Sequence, residues 1–161
     1  MKIETTLADY HNPEQSAEVM ALLNAYAQDP MGGGAPLTDY VKQNLINTLQ
    51  DRNDVFSLLC YVDGKAAGLM NFIEGFSTFK CKPLMNIHDV VVLPEYRGKG
   101  LSSKMMTAVE AFALSRGCCK LTLEVLEGNI SAQQAYKKDG FAGYELDPAM
   151  GKALFWEKTL G

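Results

Sequence analysis

The sequence lacks an excess of basic residues, a long apolar run and a signal peptide, which nucleic-acid-binding, membrane-spanning and secreted proteins respectively require. Its 161 residues carry 15 basic and 19 acidic side chains, a net charge of -4, so a basic nucleic-acid-binding face is not expected. The longest apolar runs, residues 58–62 and 90–93, fall far short of the roughly 20 residues that cross a bilayer. Residues 1–10 include Glu4 and Asp9 and lack the apolar stretch of a signal peptide. We therefore expect a cytoplasmic protein that binds neither membranes nor nucleic acid.

Cysteine and histidine are also sparse and poorly spaced for metal binding. The four cysteines are Cys60, Cys81, Cys118 and Cys119. They form no C-x-x-C pair, and His11 and His88 are not at the spacing of zinc ligands. This pattern predicts free thiols in a reducing compartment and no bound metal.

The remaining composition is that of a folded domain of ordinary size. Hydrophobic residues make up 47% of the chain and charged residues 21%, without repeats or a linker, which predicts a single domain over residues 1–161. Periodicity and turn residues predict a mixed sheet with helices packed on it, in an α/β or α+β fold. The expected strands are 2–7, 54–62, 65–76, 85–93, 120–126, 141–146 and 152–160, and the expected helices are 13–28, 38–49, 100–116 and 130–138.

The segment between the strand at 85–93 and the helix at 100–116 carries the clearest chemical signal. Residues 92–102 read VLPEYRGKGLS, which takes a buried strand through a glycine-rich basic loop into a helix. The first turn of a helix has unpaired N–H groups and a partial positive charge, and glycine lets a ligand approach the backbone. The segment therefore predicts an anion-binding site.

Two motifs together resemble the GNAT superfamily of acyl-CoA-dependent N-acyltransferases. The first is V-x-P-x-x-R-G-x-G-x-G/A, matched by residues 92–102 with Ser102 where glycine or alanine is usual. The second is N-x-x-A-x-x-x-Y-x-x-x-G-F, matched by NISAQQAYKKDGF at residues 129–141. The resemblance covers about residues 85–160. It implies a mostly antiparallel mixed sheet of about seven strands, with splayed central strands and about four flanking helices, and acetyl-CoA as the co-substrate.

The resemblance also implies roles for individual residues. Val90 and Val92 would offer backbone groups to the pantetheine arm, Asn129 would hydrogen-bond that arm, and Tyr136 would protonate the departing thiolate. The residues alone leave other interpretations open, because Asn129 also suits a helix cap and Tyr136 also suits a core position. The backbone expected to wrap the pyrophosphate is that of Arg97, Gly98, Lys99, Gly100, Leu101 and Ser102.

The reaction further requires a neutral amine. An alkyl amine with a pKa of about 10 is only about 0.1% neutral at pH 7, so a general base would help. His88 and Asp89 are the candidates, with His88 as base and Asp89 as base or partner of a substrate ammonium; a water relay or purely structural roles are the alternatives. Strict alternation would place His88 with Val90 and Val92 on one face of the strand and Asp89 on the other.

Three functions are compatible with this pattern. The leading hypothesis is acetyl transfer to a primary amine of a small molecule. The alternatives are acetylation of a protein or peptide amine, and an acyl-CoA sensor without turnover. The last predicted strand carries Leu154, Phe155 and Trp156, which predicts either an edge of a homodimer or part of the core.

Overall fold

A computed structural model describes all 161 residues of the chain. The chain forms two compact units, Met1–Leu123 and Glu124–Gly161. The prediction of a single domain stays a prediction. None of the helices has both the length and the apolar character that a membrane-spanning segment requires.

The first unit is built on one five-stranded sheet. The strands are β1 (Ile3–Leu7), β2 (Val55–Val62), β3 (Lys65–Ser77), β4 (Lys82–Val92) and β5 (Leu121–Leu123). They lie in sequence order, with antiparallel pairing throughout except for the parallel pair of β4 and β5. The helices of this unit are α1 (Pro13–Gln28), α2 (Asp39–Gln50) and α3 (Leu101–Ser115). The predicted mixed, mostly antiparallel sheet with helices packed on it is confirmed.

Local sequence signals explain where these elements begin and turn. Asn12 caps α1 by accepting hydrogen bonds from the N–H groups of Glu14 and Gln15, and Thr38 caps α2. Asp63 and Gly64 both have positive φ, 48° and 81°, which is the backbone of the tight hairpin turn between β2 and β3.

Helices cover both faces of the sheet. On one face, Val19 and Leu22 of α1 pack with Leu59, Leu69 and Val91 in a buried cluster. On the other face, the ring of Phe112 in α3 lies 5.0 Å from that of Phe56 and 5.8 Å from that of Phe72, centroid to centroid. Residues 69 and 72 of β3 thus serve opposite faces, as an odd and an even position of one strand must.

The ladder between β4 and β5 is short. β5 pairs only with residues 85–87 of β4, so β4 beyond Ile87 has a strand neighbour on the β3 side alone. The strand predicted at residues 120–126 is therefore only three residues long. The expected separation of the central strands stays a prediction.

The second unit has one α-helix, α4 (Ile130–Lys138), and a 3₁₀ turn at Pro148–Met150. The strands predicted at residues 141–146 and 152–160 are absent, so the expectation of seven strands was wrong. A strand exists only where its backbone pairs with a neighbour. Here the N–H of Ala153 donates to the carbonyl of Tyr144 at 2.8 Å, but the 3₁₀ turn and Gly151, with φ of 79°, interrupt the extended run.

The apolar side chains near the end of the chain are exposed. Leu154, Phe155 and Trp156 have relative exposures of 78%, 75% and 84%. The alternative that they pack in the core was therefore wrong for this chain. The homodimer stays a prediction.

Candidate active site

The predicted anion-binding loop leaves the end of β4 and enters α3. Gly98 and Gly100 have φ of 73° and 83°, and Gly100 is the N-cap residue of α3. The N-cap makes no side-chain hydrogen bond to this helix, so the N–H groups of Leu101 and Ser102 can bind a ligand. Leu101 is 1% exposed and anchors the first turn in the core, which leaves its contribution to a ligand to the backbone.

Backbone conformation, rather than crowding, requires glycine in this loop. A Cβ added at Gly98 or Gly100 would meet no atom within 4 Å, yet both residues have the left-handed φ that other residues adopt at a cost. We expect Gly100→Ala to lower the free energy of unfolding by about 1 kcal/mol, measured by urea denaturation.

The matched control for this substitution is Gly128→Ala. Gly128 also has open space around an added Cβ but lacks a positive φ, so alanine there should leave stability unchanged or slightly improved. Equal losses at both positions would contradict the assignment of strain to Gly100.

Arg97 holds the loop in place. Its Nε donates to the carbonyl of Val92 at 3.1 Å, and its terminal nitrogen donates to Oδ2 of Asp29 at 3.0 Å. The backbone N–H of Arg97 donates to the carbonyl of Pro94 at 3.2 Å. Arg97 is therefore engaged within the protein, and the loop groups that remain for an anion are those from Gly98 onward and the Lys99 ammonium.

The ion pair of Arg97 with Asp29 joins this loop to the segment that follows α1. Asp29 also accepts a hydrogen bond from the N–H of Met31 at 2.9 Å, in a 3₁₀ turn over Pro30–Gly32. The bond from Met31 and then the Arg97 guanidinium hold the pKa of Asp29 below its usual range. Because the folded-state pKa is lowered, ionised Asp29 stabilises the fold. This stabilisation is complete above the usual aspartate range and is lost as the pH falls through the lowered pKa.

Removing this charge should loosen the segment. We expect Asp29→Asn to speed amide hydrogen exchange in residues 30–36 by about three- to fivefold at pH 7, the size expected of an exposed ion pair. In the wild-type protein the same loss of protection, relative to the intrinsic exchange rate, should appear only once the pH falls below the usual aspartate range. Asp54→Asn is the control, because Asp54 forms a comparable pair with Arg52, 2.8 Å apart, outside this segment. Unchanged exchange in residues 30–36 would show that the pair does not hold them.

A second feature of the first unit is a pocket of about 130 Å³ between α1, α2 and the sheet. Most of its wall is aliphatic, and its polar groups come from the middle of β3 and β4. The lining residues are Val19, Leu23, Leu45, Leu49, Val55, Asn71, Ile73, His88 and Asp89.

A β-bulge brings His88 and Asp89 together. Asn71 lies opposite Asp89 and Phe72 lies opposite Ile87, so His88 is an extra residue without a partner on β3. Ile87 consequently shares the α3 face with Phe72, whereas Asp89 shares the pocket face with Asn71. The prediction from strict alternation, with His88 and Asp89 on opposite faces, was wrong, since both line the pocket.

A chain of hydrogen bonds runs from the interior to Asp89. The Tyr10 hydroxyl lies 2.9 Å from Oγ of Ser57, Ser57 Oγ donates to Oδ1 of Asn71 at 2.6 Å, and Nδ2 of Asn71 donates to Oδ2 of Asp89 at 3.1 Å. Sequence reasoning missed Tyr10, Ser57 and Asn71. The available signal was a polar residue within each of two apolar strands, at residues 55–62 and 65–77.

Tyr26 adds a neutral hydroxyl near the pocket. Burial raises the pKa of Tyr26, and the negative charges of Asp89 and Asp29 raise it further. Its phenol therefore stays protonated near neutral pH.

The second unit carries the other two predicted residues. Oδ1 of Asn129 accepts a hydrogen bond from the N–H of Ala132 at 3.2 Å, so Asn129 caps α4. Tyr136 is half-buried, and its ring lies edge-on to that of Phe141 with centroids 6.1 Å apart. The roles predicted for Asn129 and Tyr136 in acetyl transfer stay predictions. No group of three or more His, Cys, Asp or Glu side chains could hold a metal ion.

Comparison with solved structures shows the same fold in acetyltransferases. An aminoglycoside acetyltransferase from an uncultured soil metagenomic sample, in complex with trehalose, superposes with a TM-score of 0.79 at 16% identity, covering 99% of this chain and 97% of that one. A structure described as a probable acetyltransferase gives a TM-score of 0.80 at 15% identity, covering both chains completely. At these identities the likeness concerns the fold alone.

Sequence relatives match over shorter segments. The thialysine N-epsilon-acetyltransferase of Bos taurus is 42% identical over 65 residues, covering 40% of this chain and 38% of that protein. The streptothricin acetyltransferase of Streptomyces lavendulae is 41% identical over 66 residues, covering 41% and 35%. The matched part of the chain thus spans less than half the length of these curated relatives.

The assignment of this chain to a family rests on a longer match. The profile of the Acetyltransferase (GNAT) family matches residues 18–141, which include most of α1, the pocket, the glycine loop and Tyr136. That range contains both sequence motifs, and the fold around them is shared with solved acetyltransferases. The chain belongs to the GNAT acetyltransferase family.

Proposed function

We propose that residues 1–161 act as one N-acetyltransferase domain, which transfers the acetyl group of acetyl-CoA to a primary amine of a small molecule. The observation that carries the proposal is the GNAT family match over residues 18–141. Relatives named for acetylating thialysine and streptothricin, both small molecules, support the choice of acceptor.

The residues of the glycine loop fit the anionic co-substrate. The first turn of α3 has no side-chain cap, and open space surrounds the Cα atoms of Gly98 and Gly100. Backbone N–H groups from Gly98 to Ser102 and the Lys99 ammonium would hold the pyrophosphate. Backbone groups of Val90 and Val92, with the Asn129 amide, would hold the pantetheine arm. Acetyl-CoA, when bound, supplies the acetyl group as a reactive thioester.

The pocket supplies the groups that an amine acceptor requires. Asp89 holds the substrate ammonium by charge, and His88, beside it on the bulge, accepts the proton that the amine must lose before it attacks. Tyr136 donates its phenolic proton to the departing thiolate. No nucleophilic side chain is required, because the amine itself forms the new bond to the acetyl carbon.

The test is release of free CoA near pH 8 over a panel of acceptors. The panel contains aliphatic amines and polyamines, amino acids, aminoglycosides, and peptides with a free lysine or N-terminus. An enzyme-only blank is required because Cys81 and Cys119 are exposed thiols. We expect release with small amines and little with peptides.

Two other outcomes would contradict the proposed acceptor or the proposed activity. Release confined to peptides would assign the acceptor to proteins. Binding of acetyl-CoA without release by any amine would contradict the enzymatic proposal and favour an acyl-CoA sensor.

A further inference from the structure

We propose that Asn71 is a positioning residue, which fixes Asp89 through a one-directional hydrogen-bond chain so that the pocket takes a single compact alkylammonium group. The inference names the acceptor class of the site described above, and it rests on the proposed function for turnover but not for binding. Asn71 lies opposite Asp89 on neighbouring strands and shares the pocket wall with it.

The chemistry of the partners sets the direction of the chain. An ionised carboxylate only accepts hydrogen bonds, so Asn71 must present its Nδ2 group to Asp89. Its Oδ1 then faces Ser57 and can only accept, which requires Ser57 to donate. The Ser57 hydroxyl has one proton, so its oxygen is left to accept from the Tyr10 hydroxyl 2.9 Å away.

Burial makes this order rigid. Ser57 is 1% exposed, so water does not offer its hydroxyl an alternative partner. A rotated Asn71 amide would place N–H groups against Ser57 and a carbonyl against the carboxylate, which pairs two acceptors. Oδ2 of Asp89 therefore accepts the hydrogen bond from Asn71, while Oδ1 of Asp89 accepts no hydrogen bond within the chain.

The remainder of the pocket defines what that oxygen can receive. Apart from His88, Asp89 and Asn71 the lining is aliphatic, with no lysine or arginine to neutralise the carboxylate. The volume of about 130 Å³ is close to the roughly 150 Å³ in which an apolar protein cavity holds one benzene molecule. A short aliphatic chain ending in an ammonium fits this space and charge, whereas a polycyclic polycation does not.

Binding of n-butylamine tests the inference without acetyl-CoA. Protein NMR titration follows the amides of residues 86–92 and gives the dissociation constant, with n-butanol as the uncharged ligand of similar shape. We expect n-butylamine to bind at least about tenfold more tightly than n-butanol, the margin of one charge-assisted hydrogen bond. Equal binding of the two ligands would overturn the inference.

The variant Asn71→Leu tests the positioning role. Leucine has a similar volume but neither donates nor accepts, so Asp89 is no longer held. We expect binding of n-butylamine to weaken about tenfold, and KM for the acceptor to rise by the same factor while KM for acetyl-CoA is unchanged. Tyr61→Phe is the matched control. Tyr61 lies on the same strand as Ser57 but outside the pocket lining. The substitution removes the 2.6 Å hydrogen bond that the Tyr61 hydroxyl donates to Glu18.

A second variant covers the case in which leucine prevents folding. Ser57→Ala removes the donor that orients the Asn71 amide, and we expect about threefold weaker binding of n-butylamine. Unchanged binding in a folded Asn71→Leu or Ser57→Ala protein would overturn the positioning role. Loss of binding in these variants without acetyl transfer by the wild type would support the pocket and contradict the enzymatic proposal instead.

Discussion

Replacing Tyr136 by phenylalanine is expected to lower kcat by about 100- to 1000-fold and to change the dissociation constant of acetyl-CoA by less than about twofold. A positioned general acid contributes roughly 10²- to 10⁴-fold to a rate, and phenylalanine removes the phenolic hydroxyl that would supply the proton. The ring survives the substitution, so the edge-on contact with Phe141, with centroids 6.1 Å apart, is retained. The packing of this ring in the second unit should therefore be kept.

Single-turnover measurements with saturating acetyl-CoA isolate this effect from product release. Tyr144→Phe is the control, because Tyr144 is a tyrosine of the same unit with 57% exposure and no predicted role. If Tyr136→Phe turns over at the wild-type rate while Tyr144→Phe also does, Tyr136 is not the acid and its role is that of a packed aromatic. A parallel fall in kcat for both variants would indicate a structural effect of the unit.

The parts of the fold that the sequence predicted depend on local signals. Asn12 and Thr38 begin α1 and α2 because a cap needs only the next turn of its own helix. The turn at Asp63 and Gly64 is fixed by two residues that tolerate positive φ. The glycine loop was identified for the same reason, since strand, glycines and helix follow one another directly in the sequence.

The parts that the sequence did not predict depend on pairing across the chain. The bulge at His88 arises from the register of β4 on β3, which periodicity within one strand cannot show. The strands expected at residues 141–146 and 152–160 had suitable residues but acquired no ladder partner. Periodicity identifies a face that can be buried, and only the fold determines whether a neighbour is present.

The hydrogen-bond network of the pocket has the same origin. Ser57, Asn71 and Asp89 lie on three different strands and are polar residues within apolar runs, which a single sequence presents as isolated exceptions. Arg97 and Asp29 are 68 positions apart, and their ion pair likewise could not be predicted from the sequence. In each case the sequence contains the chemical group, whereas the partner of that group is determined by the fold.

The substitution Asp89→Asn should show how much of acceptor binding depends on charge. Asparagine has nearly the same shape and still presents an oxygen that can accept from Nδ2 of Asn71, so the bond of 3.1 Å can be kept while the negative charge is lost. We expect KM for the amine to rise about 30- to 100-fold, because a charge-assisted hydrogen bond contributes roughly 1.5–3 kcal/mol, and KM for acetyl-CoA to stay constant. Initial rates at varied amine and saturating acetyl-CoA measure the change.

The control and the double variant separate this effect from general loss of charge. Asp39→Asn removes the same charge from an exposed position on α2 and should leave the KM for amine unchanged. Because Asn71 acts through Asp89, Asn71→Leu should add less than about twofold to KM once Asp89 is already asparagine, although it adds about tenfold in the wild type. Additive effects would mean that Asn71 contacts the amine directly, and an unchanged KM in Asp89→Asn would assign the carboxylate to the fold rather than to the acceptor.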